Sequence, residues 1–177
     1  TLGEIELALK FINRAYEQLK SSGKYKTFQG FCVYNLAEIY SESRQDEQAL
    51  KFHELAYIIL EESGNKAMMA RPLNGIGNVY LHQKKYAHSL EYLIKSLTMS
   101  REINNKPVEA RILTDLGVYY FETGDFSKAY AFQQEALLIR TEMNLPNSEV
   151  TNLIHLAEIA CKRNHQQEAM NHLEMHY

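Results

Sequence analysis

Tryptophan is absent from this chain and only three of its 177 residues are proline, so few positions resist a helical backbone. The period-two alternation of a strand is missing too, because apolar residues recur three and four positions apart. What these absences leave is an all-helical chain. No apolar run approaches the roughly 20 residues of a membrane-spanning helix, and no signal-peptide pattern is present. An excess of one charge is likewise missing, with 19 Lys and Arg against 22 Asp and Glu, and the basic residues are scattered. That distribution argues against a surface tracking phosphates, so nucleic acid is not an expected partner. Cysteine is limited to Cys32 and Cys161, more than three repeats apart. They are expected to be unpaired packing residues in a reducing compartment, which makes the cytoplasm the expected location, with an extracytoplasmic sensor as the alternative.

Catalytic signatures are also lacking. There is no glycine-rich phosphate loop, no Gly-x-Ser-x-Gly elbow and no carboxylate pair that the fold would gather in a cleft. Gly75 and Gly77 hint at a nucleotide-binding turn, but no strand precedes them. Among seven histidines, His172 and His176 share a helix face at i, i+4, with His165 in the preceding turn of the chain, yet a third ligand is missing. His53, His82, His88 and His155 are spread over the chain and read as polar-face or groove residues. Neither a metal, nor a cofactor, nor a catalytic residue is expected.

What the chain has is a beat. Ala8, Ala49, Ser89, Ala129 and Ala169 follow one another at steps that are equal to within one position. Seven positions later Ala15, Ala56, Ser96 and Ala136 repeat the spacing, with His176 at the last place. A third register holds Ala37, Gly77, Gly117 and Ala157, and Tyr40, Tyr80 and Tyr120 follow it three positions on, closed by Ala160. Small slots let helices approach closely and the aromatics fill the space beside them. A two-helix unit cannot bury its apolar face alone, so repetition at this period predicts stacked helix pairs.

The run Leu113-x-x-Leu116-Gly117-x-x-Tyr120, followed by Ala129 and Ala136, resembles the tetratricopeptide repeat. The resemblance implies a right-handed α-solenoid of antiparallel helix pairs, a single array over 1–177. Its parts are an orphan helix B at 4–21 and repeats at 25–63, 65–103, 105–143 and 146–176. The common repeat carries a proline after helix B, whereas Glu61, Arg101 and Thr141 stand there and let the helix run on. Breaks are expected at Ser63-Gly64-Asn65, at Asn104-Asn105-Lys106-Pro107 and at Asn144-Leu145-Pro146-Asn147. Pro72 predicts either a helix that starts near Met69 or a kink before Arg71. Long repeats of this kind are similar to those of spindle-orientation adaptors, kinesin light chain, bacterial peptide-pheromone receptors, and sensor regions of histidine kinases and nucleotide cyclases.

In such a fold helix A lines the concave surface, so residues at i, i+3, i+7 and i+11 of each helix A form the groove. These are Phe31, Tyr34, Glu38 and Glu42, then Arg71, Asn74, Asn78 and His82, then Arg111, Thr114, Val118 and Glu122, then Thr151, Ile154, Glu158 and Lys162. The expected ligand-binding residues are Tyr34, Glu38, Arg71, Asn74, Asn78, His82, Arg111 and Thr114. Asparagine offers both a donor and an acceptor to a peptide backbone, and the two arginines can fork onto carboxylates. Arg71-x-x-Asn74-x-x-x-Asn78 resembles groove residues of the adaptors and pheromone receptors, while Thr114 and Val118 depart from it. The competing expectation is a merely solvated face, its arginines paired with Glu109 or Glu149.

The expected function is a non-enzymatic module that binds a protein or peptide in its groove, part of a larger bacterial signalling protein. The alternative is a dimerising or signal-transmitting segment of a histidine kinase or nucleotide cyclase. Exposed apolar residues on helix B, with Tyr92, Leu93, Tyr130 and Phe132 as candidates, would favour it, and homodimerisation through the terminal helices belongs to the same reading. The chain starts at Thr1 inside a half repeat and ends within a last helix B, which is expected of an excised piece.

Overall fold

The structure, a computed structural model, describes residues 2–22, 25–144 and 146–163. These form eight α-helices and no strand. They are α1 (Leu2–Ser22), α2 (Lys26–Glu42), α3 (Asp46–Glu62), α4 (Lys66–His82), α5 (Tyr86–Glu102), α6 (Lys106–Glu122), α7 (Phe126–Glu142) and α8 (Pro146–Lys162). The second helix expected in the last repeat, with Ala169, His165, His172 and His176, lies outside the described residues.

From α2 onward every helix has 17 residues, and the starts of successive helices are evenly spaced from Lys26 to Pro146. The beat seen in the sequence is therefore two equal halves joined by short turns of one kind. A left-handed residue stands at the middle of each: Arg44, Gly64, Lys84, Asn104, Gly124 and Asn144 all have φ between 52° and 85°. In five of the turns the following N–H reaches back to the helix, from Gln45 to Tyr40 O, Asn65 to Leu60 O, Lys85 to Tyr80 O, Asn105 to Ser100 O and Asp125 to Tyr120 O. This closure satisfies the last carbonyls of each helix. Asn105 and Asp125 then cap the next helix, their Oδ1 atoms accepting from the Val108 and Lys128 N–H groups. Arg44 and Lys84 carry a Cβ into a backbone region that glycine enters freely. Lys84→Gly is expected to raise stability by about 1 kcal/mol, read as a higher denaturation midpoint; an unchanged or lower midpoint would contradict the turn geometry.

The helices fall into two compact units, Thr1–Met99 and Ser100–Tyr177, with the boundary inside α5. In the first unit α2 packs on α1, α3 and α4, around Val33, Leu36, Ala37, Ala49, Ala56 and Leu60. In the second α6 packs on α7 and α8, around Ile112, Leu113, Leu116, Ala129, Ala136 and Leu156. The small-residue registers lie in these cores: Ala49, Ala56, Ser89, Ser96, Ala129 and Ala136 are fully buried. Ser96 also ties α5 to α4 by donating to Ala70 O at 2.6 Å. The aromatic register packs across each helix pair, Tyr40 stacking on Phe52 at 5.2 Å and Tyr120 on Phe132 at 5.3 Å, while Tyr80 meets Tyr92 at 5.7 Å.

Helix α4 begins at Lys66, three positions before Met69, and runs on through a buried Pro72. Helices α3, α5 and α7 continue past Glu61, Arg101 and Thr141, as the missing proline predicts. Glu109 pairs with Arg101 Nε at 2.8 Å and Lys106 Nζ at 2.9 Å. Burial pushes its carboxyl up, and the hydrogen bonds and charges of Lys106 and Arg101 more than reverse this, leaving it below its ordinary value. Both cysteines are free, Cys161 exposed and Cys32 half-buried, with burial raising the Cys32 thiol. No described helix is long and apolar enough to cross a membrane.

Candidate functional site

The eight groove residues expected from sequence divide by burial. Arg111 and His82 are exposed, and Arg71, Asn78 and Glu38 are half-buried. Tyr34, Asn74 and Thr114, each the i+3 member of its stripe, are 4, 2 and 6 % exposed. At about 100° per residue, i+7 and i+11 return to within about 20° of the first residue, whereas i+3 falls about 60° to one side. That side faces the neighbouring helix. Tyr34, Asn74 and Thr114 therefore form a floor beneath the polar stripe, whereas Ile154, the i+3 residue on α8, is 45 % exposed.

In the first unit that floor continues into His53 on α3, fully buried rather than on a polar face. The Ser41 hydroxyl donates to Ala37 O at 3.0 Å, so its oxygen accepts from His53 Nε2 at 3.2 Å and places the ring proton there. Glu38 Oε1 lies 3.7 Å from the same nitrogen, and the Tyr34 ring is 6.0 Å from the imidazole. Gly75 on α4 closes over the ring: a Cβ there would sit 2.2 Å from His53 Cε1. At the helix end, burial and the Arg44 charge lower His82, against an opposing pull from Asp46.

The second unit carries a fuller polar network on α6, α7 and α8. Gln133, fully buried on α7, donates through Nε2 to Thr114 O at 3.1 Å and His155 Nδ1 at 3.0 Å. Its Oε1 accepts from Asn152 Nδ2 at 2.6 Å, and the same nitrogen reaches Thr114 Oγ1 at 3.2 Å. Arg140 Nη1 donates to Asn152 Oδ1. The amide of Gln133 has one workable orientation, because flipping it would set its oxygen against the Thr114 carbonyl. His155 Nδ1 is then an acceptor, and the ring proton resides on Nε2. Burial pushes His155 below its ordinary value, opposed by Glu158 and assisted by Arg140. Burial also lowers Arg140, with Asp115 acting against it.

Above this network opens a cavity of about 130 Å³, lined by Gly117, Val118, Phe121, Glu122, Gln133, His155, Glu158 and Ile159. Gly117 lets the Gln133 side chain pack against α6 at the cavity's base, since a Cβ there would meet Gln133 Nε2 at 2.5 Å. Val118, Glu122 and Glu158 come from the stripes on α6 and α8. Gln133, Asn152, Arg140 and the buried roles of His53 and His155 escaped the sequence reading. One signal was available: Leu93 sits in the repeat register at which His53 and Gln133 interrupt an apolar slot. Glu109, set against Arg111 as a possible partner, is instead held by Arg101 and Lys106.

No curated protein sequence matches the chain. Among solved structures, a Rap protein complexed with competence and sporulation factor superposes with a TM-score of 0.88 at 18 % identity, over 98 % of this chain and 48 % of that one. The Rap conjugation gene regulator of the plasmid pLS20, in complex with the Phr* peptide, gives 0.82 at 16 % identity, over 94 % and 46 %. BtubC (BKLC) from P. vanneervenii gives 0.78 at 21 % identity, over 98 % and 72 %. The chain thus spans about half the length of the Rap proteins. At these identities the likeness is one of fold, that of an all-α helical-repeat solenoid. Family models described as tetratricopeptide repeat match residues 32–67 and 68–142, which together take in more than half of the sequence. The chain belongs to the tetratricopeptide repeat family.

Proposed function

We propose that this chain is a non-enzymatic module that holds a peptide segment of a protein partner on the exposed faces of its helices A. The observation that carries this reading is the cavity between α6 and α8, where apolar walls and carboxylates rest on a floor of satisfied hydrogen bonds. Such a floor is rigid, so a ligand side chain entering the cavity meets groups already in place and little ordering cost is added. In the first unit Arg71, Asn78 and Glu38 present charge and amide groups above the floor made by Tyr34 and Asn74. The fold is shared with Rap structures that contain competence and sporulation factor or the Phr* peptide, which supports the same reading. We place the module in a cytoplasmic bacterial signalling protein on that resemblance.

A second reading, self-association, has its own observation. The four helix B residues first suggested for it are buried or half-buried, but Leu7 and Phe11 on α1 are 52 and 60 % exposed, and Ile58 and Leu138 are exposed on α3 and α7. The test is a peptide-display selection on the chain and on an Arg71→Ala, Asn78→Ala, Arg111→Ala variant, with Asn74 left intact because it is buried. Enriched peptides are expected to share a motif and to bind the variant about tenfold or more weakly. Absence of a shared motif, or binding indifferent to the three changes, together with a dimer by light scattering, would favour self-association.

A further inference from the structure

We infer that the cavity of the second unit is a subsite for one cationic side chain of the bound segment, a guanidinium in preference to an ammonium. The inference rests on the peptide-binding reading and adds a specificity to it. Three features meet at the cavity. Glu122 on α6 and Glu158 on α8 bring carboxylates from two separate helices. Among the described residues neither carboxylate stands in an ion pair, although the unit holds Arg101, Lys106, Arg111, Lys128, Arg140, Lys162 and Arg163; the first two serve Glu109, Lys128 pairs with Asp125 and Arg140 serves Asn152. The walls are apolar, made by Val118, Phe121 and Ile159, and suit the methylene stem and flat face of an arginine better than a carboxylate or a phosphate.

His155 supports the same choice. Its Nδ1 is occupied by Gln133, and a neutral ring beside Glu158 adds no positive charge to the cavity. Among the residues that line the cavity an anionic ligand would meet two carboxylates and no Lys or Arg, whereas a cation is attracted by both. Two acceptors on different helices match a planar fork of five N–H donors more fully than a single ammonium point charge. The cavity volume of about 130 Å³ is of the size of one long side chain. The ligand class is therefore a peptide carrying an arginine, with lysine as the weaker substitute.

N-acetyl-arginine amide, added to the isotopically labelled chain, is the direct probe, followed by NMR at the His155 ring and the Val118 and Ile159 methyls. Saturable shifts confined to these groups are expected. Binding should weaken about tenfold or more with the neutral isostere N-acetyl-citrulline amide, and to the same degree in a Glu122→Gln, Glu158→Gln variant whose melting temperature is retained. The lysine derivative should bind between the two. Equal binding of arginine and citrulline, shifts that survive in the variant, or no saturable shift would overturn the inference. The two readings fail separately: peptides from display that bind with no preference for a basic residue would leave the peptide module standing and remove the subsite.

Discussion

Replacing Gln133 by Leu is expected to destabilise the protein by roughly 2–4 kcal/mol, even though leucine fits this slot in shape. The preceding repeat holds Leu93 at the same register, fully buried, against Gly77 in place of Gly117. The cost is one of hydrogen bonding. Gln133 serves Thr114 O, His155 Nδ1 and Asn152 Nδ2 at once, and leucine would remove all three bonds, leaving Asn152 Nδ2 with Thr114 Oγ1 alone. Asn152→Ile, matching Ile112 one repeat earlier, removes the most deeply buried of them, and in the double variant part of the loss is expected to return. Urea denaturation of the two single variants and the double variant decides the matter. A Gln133→Leu protein within about 0.5 kcal/mol of the parent would mean that the network contributes nothing to stability.

Gly75→Ala is expected to change sign with its partner. In a helix interior alanine is favoured over glycine by up to about 1 kcal/mol. Here the added methyl would lie 2.2 Å from a ring that is fully buried and held by Ser41, so His53 cannot swing aside cheaply. Overpacking of this kind costs about 1–3 kcal/mol, which outweighs the propensity gain and makes the single substitution destabilising. With His53→Ala in place the obstruction is gone, and the same Gly75→Ala change should become neutral or stabilising. Thermal melts of the four proteins in this cycle measure the reversal. A Gly75→Ala cost that persists without the imidazole would place its origin elsewhere than at His53.

The helices and their beat were legible in the sequence because small residues in the cores must recur wherever the same helix contact recurs. Ala49, Ala129 and Ala136 are fully buried as that argument requires. The division of the beat into two equal halves was not legible, since the turns achieve one conformation with arginine, glycine, lysine and asparagine alike. The candidate site was legible in part. A stripe drawn on one helix cannot register its angular offset toward the next helix, which is why Asn74 and Thr114 read as groove residues and yet lie in the floor. Nor can it see pairs such as Gln133 with His155, which stand on different helices and carry no common spacing motif.

The sameness of the turns has a consequence for how such a chain can grow. A duplication of one helix pair that begins at any of these turns rejoins the chain through a conformation it already uses, so no new connection has to be invented. A gain or loss of a single helix with its turn would rejoin equally well in backbone terms, but it would put a helix B sequence where a helix A sequence must pack. Length can therefore change in whole pairs without a new connection, while half steps would break the packing, and the number of helix pairs becomes the heritable variable.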